Sequence, residues 1–79
     1  MKPVFVLIKC HLGQAYKVAE EIVDRIEQVA EVHSISGEYD LLAKFHIATD
    51  DDLGHFVNEQ VQRIDGIADT FTIVTFKAF

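Results

Sequence analysis

Apolar residues run almost unbroken from Pro3 to Cys10, with Val4, Val6, Ile8 and Cys10 alternating against Phe5, Leu7 and Lys9. A short run rich in β-branched and aromatic residues predicts a strand, and one that is apolar on both faces. Pro3 fits as the first residue of such a strand. His11-Leu12-Gly13 interrupts the run, and from Gln14 the period changes. Ala15, Val18, Ala19, Ile22, Val23, Ile26 and Val29 recur at helical spacing, and Lys17, Glu20, Glu21, Asp24, Arg25 and Glu27 fall between them. This predicts an amphipathic helix with one wet face, on which Glu21 and Arg25 stand one turn apart.

Ala30 to Ser36 and Asp40 to Ile47 return to alternation, joined by Ser36-Gly37-Glu38-Tyr39-Asp40. Gly37 can take the positive φ of a tight reversal and Asp40 can bond back to the turn, so the two runs predict an antiparallel hairpin. Thr49 is the expected N-cap of a second helix, with Asp50, Asp51 and Asp52 at its positive end. Leu53, Phe56, Val57, Val61 and Ile64 form the apolar face of that helix, and Gly66 is the expected left-handed residue closing it. A last strand is expected over Ile67 to Phe79, with Thr70, Thr72, Val74 and Phe76 opposite Phe71, Ile73, Thr75 and Lys77.

Strand, helix, strand, strand, helix, strand is the split βαβ pattern of an α+β, ferredoxin-like fold: a four-stranded antiparallel sheet with two helices on one face. Two helices cover one sheet face only, whereas the first and last strands are apolar on both. Leaving the second face wet would forfeit roughly 1.5–3 kcal/mol per large side chain, comparable in sum with the stability of so small a domain. A homodimer that pairs the uncovered sheets is therefore expected.

Composition sharpens this picture. With 79 residues the chain is expected to be one domain spanning 1–79, and a hydrophobic fraction of 49% suits a body that keeps apolar surface for a partner. Thirteen acidic against seven basic side chains give a net charge of −6, the wrong sign for binding nucleic acid directly. No stretch approaches the roughly 18 apolar residues of a membrane span, and no secretory leader is recognisable. The single cysteine, Cys10, makes no internal disulfide, which points to the cytoplasm.

Candidate chemistry is sparse. Cys10 and His11 are sequence neighbours that a strand directs apart, so Cys10 reads as a buried inert thiol. His11, His33, His46 and His55 show no metal-ligand spacing, and consecutive Asp50, Asp51 and Asp52 lack the alternation of a calcium loop, so neither metal nor cofactor is expected. Gly37, Gly54 and Gly66 are isolated, which excludes the common phosphate loops. The hairpin tip is the better candidate. Backbone N–H groups over Gly37, Glu38 and Tyr39 can meet a carboxylate, and Asp40 can accept from an ammonium, the two ends of an amino acid. A rival reading is a small dimeric α+β-barrel enzyme, a monooxygenase or isomerase, that uses His33 or His46 in a pocket between sheet and helices.

The stretch from Glu31 to Lys44, with Gly37-Glu38-Tyr39-Asp40 at its centre, together with Ile64-Asp65-Gly66-Ile67 and Thr70-Phe71-Thr72, resembles the effector-binding domain of the Lrp/AsnC transcription regulators, the RAM (regulation of amino acid metabolism) domain. The resemblance covers nearly the whole chain and is most specific at the tip. It implies sheet-to-sheet dimers that assemble further, often into octamers, with an amino acid bound between neighbouring dimers. The implied site residues are Gly37, Glu38, Tyr39 and Asp40, with Thr70 and Thr72 on the last strand. Full-length members carry a helix-turn-helix domain ahead of this one, whereas here Met1 leads directly into the first strand. The expectation is a stand-alone, non-catalytic effector module that senses an amino acid itself or co-assembles with a full-length regulator.

Overall fold

The computed structural model describes residues Met1–Phe79. Strand β1 (Lys2–Cys10) is followed by helix α1 (Ala15–Arg25), strands β2 (Val29–Ser34) and β3 (Leu41–Ile47), helix α2 (Leu53–Phe56) with a π-helical turn (Val57–Val61), and strand β4 (Ile67–Val74). The sheet is antiparallel in the order β2-β3-β1-β4. Strand β1, apolar on both faces, is central, whereas β4, also expected to be apolar on both faces, lies at the edge and turns Thr70 and Thr72 toward the helices.

Register decides which residues share a face. Val4 stands opposite Phe45 and Val74, Val6 opposite Ala43 and Thr72, and Ile8 opposite Leu41 and Thr70. These positions face the helices and supply much of a core completed by Val18, Ile22 and Ile26 from α1 and its end, and by Phe56, Val57, Val61 and Ile64 from the second helical segment. Phe45 and Phe56 meet edge to face with centroids 5.2 Å apart, the favoured aromatic geometry. On the opposite, helix-free face, Leu7 lies between Leu42 and Phe71, and Phe5 between Lys44 and Ile73. Those apolar side chains are only half-buried, and Phe71 is exposed.

Several local expectations need correction. Helix α1 stops at Arg25, and Ile26 is already extended, at φ −98 and ψ 107, so Val29 belongs to β2 and pairs with Phe45. Val23 is exposed because the buried stripe runs along Val18 and Ile22, and Val23 lies about 100° round the axis from Ile22. The second helix is capped by Asp52, whose carboxylate accepts from His55 N–H at 3.2 Å, and not by Thr49, which lies within a separate turn closed by Asp51 N–H to the Ala48 carbonyl. Its second half widens into a π turn that keeps the adjacent Phe56 and Val57 as well as Val61 buried.

Gly66 does take a positive φ, +100, but four residues beyond the C-cap Gln62, where a Cβ would come within 2.9 Å of Val18. It serves close approach to α1, and its carbonyl accepts from His11 N–H at 2.8 Å. Strand β2 ends at Ser34 and β3 begins at Leu41, so the connection is longer than a tight two-residue turn. Strand β4 ends at Val74, opposite Val4, because only the first residues of β1 remain beyond that point to pair with it.

Candidate functional site

The β2–β3 connection is tied down at many points. Ile35 N–H donates to the Asp40 carbonyl at 3.0 Å, and Asp40 N–H donates to the Ile8 carbonyl at 2.9 Å. Lys9 Nζ donates to the Glu38 carbonyl at 3.0 Å. Gly37 reverses the chain at φ +115 with open space around it. The tip is thereby folded over the end of β1, and the Tyr39 ring leans against Phe71 with centroids 6.3 Å apart, at the margin of the helix-free face.

Asp40 is the pivot of this arrangement. Its Oδ2 accepts from Cys10 N–H at 2.7 Å, a short charge-assisted bond at the point where β1 gives out. Burial, and then the Asp40 charge beside it, push the Cys10 thiol above its ordinary value, which keeps it protonated and unreactive. Sequence reasoning reached the inert thiol but missed its contact with the tip, because the residues are 30 positions apart.

Asp40 also borders a cleft of about 280 Å³ with Cys10, His11, Leu12, Gly13, Ala15 and Tyr16. This is the N-terminus of α1. Gln14, at the cap position, makes no side-chain cap bond, and the first turn carries no acidic residue. The first-turn N–H groups of a helix have no intrahelical partner and bear its partial positive charge. One cleft therefore presents donors suited to a carboxylate and, at Asp40, an acceptor suited to an ammonium. The residues of the helix N-terminus were not picked out from sequence, although a glycine followed by a helix without a capping side chain was a legible signal.

Of the tip residues only Asp40 lines this cleft; Gly37, Glu38 and Tyr39 lie in the connection outside it, and Thr70 and Thr72 are elsewhere. Both project from the helix-facing side of β4, an edge strand, into a groove of about 440 Å³ with Leu53, Gly54, Val57, Asn58 and Gln62. Thr70 Oγ1 accepts from Gln62 Nε2 at 2.7 Å. The π turn supplies Val57 and Asn58 to this groove. Within one chain, then, the six expected residues do not share one surface.

The histidines are not assembled either. His33 pairs with Leu42 and His46 with Pro3, which places them four residues apart along β3, about 13 Å. His33 Nε2 lies 3.3 Å from a Glu31 carboxylate oxygen on the exposed edge. Neither histidine lines any of the five principal clefts. No group of three or more His, Cys, Asp or Glu gathers at metal-binding distance, and no helix is long and apolar enough to cross a membrane.

A family model described as the Lrp/AsnC ligand binding domain matches residues 3–79. An HTH-type transcriptional regulator of Pyrococcus furiosus, PF0250, is 36% identical over 74 residues, which cover 91% of this chain and 49% of the regulator. The chain thus spans about half the length of such relatives. Among solved structures, TTHA0845 from Thermus thermophilus superposes with a TM-score of 0.88 at 32% identity, over all of this chain and 98% of that one. The Neisseria meningitidis regulator NMB0573, solved as a complex with L-Met, has a TM-score of 0.81 at 18% identity, over 96% of this chain and 50% of that one.

Proposed function

The chain belongs to the Lrp/AsnC ligand binding domain family, with the ferredoxin-like RAM fold, and from that premise we propose that it is a non-catalytic, oligomerising module that binds an α-amino acid as its effector. The observation that carries this reading is the cleft at which the α1 N-terminus and Asp40 face one another. A zwitterion matches it end for end. Its carboxylate meets the unpaired N–H groups and its ammonium the Asp40 carboxylate, leaving the side chain to be read by Tyr16 and by whatever a neighbouring copy brings. That the Neisseria regulator of the same fold was solved with L-Met supports an amino acid as the class of ligand.

Oligomerisation completes the proposal. The helix-free faces pair two copies into a homodimer, and dimers assemble further, an octamer being the expected size. In the assembly the tip of one copy, Gly37 to Asp40, approaches the Thr70–Thr72 groove of another. The module acts in the cytoplasm, either alone or by entering mixed oligomers with full-length regulators of the same family, whose sequences are about twice as long.

Calorimetric titration with each common α-amino acid, on the wild-type chain and on Asp40→Asn, tests the sensing half. Saturable binding of at least one amino acid, lost in the variant, is expected; no heat from any of them removes amino-acid sensing. Multi-angle light scattering tests the other half, and a lone 8.9 kDa particle at micromolar concentration would remove the oligomer.

A further inference from the structure

Strand β4 leaves the sheet at Val74, and Thr75–Phe79 runs on without secondary structure. Phe76 and Phe79 are 99% and 110% exposed, and the ring of Phe79 has Lys77 Nζ 5.2 Å from its centroid. Two bare phenylalanines in five residues are a large apolar surface, roughly 200 Å² each if buried. Nor does the segment stray from the fold. It forms one wall of a cleft of about 570 Å³ whose other wall is the start of β1 with Phe5 and Lys44. Phe5 and Lys44 are register neighbours on the helix-free face, so the cleft opens onto the margin of that face.

Area indicates what the segment is for. Four strands about 4.8 Å apart and about seven residues long cover roughly 19 by 24 Å, near 450 Å² in plan. A standard stable interface buries about 800 Å² on each partner. A face studded with side chains has more accessible area than its plan, and the two phenylalanine rings bring roughly 400 Å² more per copy, which takes even the plan area to the standard size.

Resting on the reading that the helix-free faces pair two copies, we propose that Thr75–Phe79 crosses to the second copy, exchanging places with the partner's own segment, so that Phe76 and Phe79 cover the wall at the start of β1 that the partner's segment vacates. A two-fold interface is self-complementary, so each chain both gives and receives a segment. The receiving wall carries Phe5 with Lys44 Nζ 5.7 Å from its ring centroid, and Lys2, whose amine donates to the Asp51 carbonyl at 3.1 Å, so it offers an aromatic floor to incoming rings. Phe76 borders its own chain's cleft and Phe79 lies outside it, and neither ring is covered by its own chain.

Sedimentation equilibrium on the wild-type chain, on the double variant F76S/F79S, on F76L/F79L and on the face variant L42D tests this. The double serine variant is expected to raise the dimer dissociation constant at least about 100-fold with an unchanged far-ultraviolet circular dichroism spectrum, and the leucine pair to restore affinity to within about ten-fold. A serine variant that dimerises within about three-fold of wild type, while L42D dissociates, overturns the crossing segment and leaves the sheet-face dimer standing. A serine variant that unfolds overturns it too, since the rings would then belong to the protomer's own fold. A wild-type chain that is monomeric fails at the earlier step, the pairing of faces, and takes the segment's role with it.

Discussion

Removing the Asp40 carboxylate separates its structural work from its work toward a ligand. In Asp40→Ala the Cys10 N–H, part-buried and bonded at 2.7 Å, loses its acceptor. Hydrogen bonds to charged groups contribute about 1.5–3 kcal/mol, and an orphaned buried donor costs about 1–3 kcal/mol. The partial exposure of this bond places the loss toward the lower end, about 1–2 kcal/mol. For a domain of this size each kcal/mol lowers the melting midpoint by about 4–8 °C, so a fall of roughly 4–16 °C is expected. Asp40→Asn keeps an acceptor oxygen in the same place and should recover at least half of it. The assay is thermal unfolding followed by circular dichroism, without amino acids and at one fixed protomer concentration, because association shifts the midpoint by mass action. An alanine variant that melts within about 1 °C of wild type would refute the reasoning. The Asn variant is then the correct reagent for binding, since it removes the charge and spares the scaffold.

Glycine positions should separate by cause. Gly66→Ala combines a φ of +100 with a Cβ 2.9 Å from Val18, whereas Gly37→Ala meets only its φ of +115 in open space; stability curves in urea should show a loss of about 2–4 kcal/mol for the first and about 1 kcal/mol for the second. Phe45→Ala, at the centre of the core, should lose about 3–5 kcal/mol in the same assay. Glu21→Ala breaks an exposed ion pair with Arg25 and should leave the midpoint within about 4 °C. The Cys10 thiol, raised by burial and by Asp40, holds its proton in the folded chain above pH 9.0, where the unfolded chain gives it up. Stability present below pH 9.0 is therefore lost as pH rises through the thiol's range; the fall should be shallower in Asp40→Asn and shallower still in Cys10→Ala.

The fold was readable because burial and period agree along most of the chain. Val4, Val6, Ile8 and Cys10 on one side of β1, and Phe5 and Leu7 on the other, divide as alternation requires. What could not be read were the ends of elements, where a distant partner decides. Val29 looks like the last apolar position of a helix, yet its pairing with Phe45 places it in β2. Thr49 is as good a cap as Asp52 by composition, and only the turn closed on Ala48 shows which one is used. A similar limit applies to the site. Gly-Glu-Tyr-Asp stood out as a turn, but its nearness to the N-terminus of α1, a segment about 25 residues earlier marked only by Gly13 and an uncapped helix start, depends on the fold.

One contact joins the two halves of the proposed function. Tyr39 stands beside Asp40 in the tip, and its ring rests on Phe71, which belongs to the face proposed to pair two copies. Any ligand that draws on Asp40 therefore acts on a residue whose neighbour is packed against that face, with only one side-chain contact between them. Coupling requires that a ligand favour one arrangement over another, and is reciprocal when it does. Tyr39 and Phe71 provide the place where such a difference can be felt: a shift of the tip changes how much of Phe71 is left for the partner, and a partner pressing on Phe71 changes where Tyr39 can stand. Hydrogen bonds and packing tie the tip to Ile8, Lys9, Cys10 and Phe71, so a movement of the tip must break or carry with it contacts to the end of β1 and to that face.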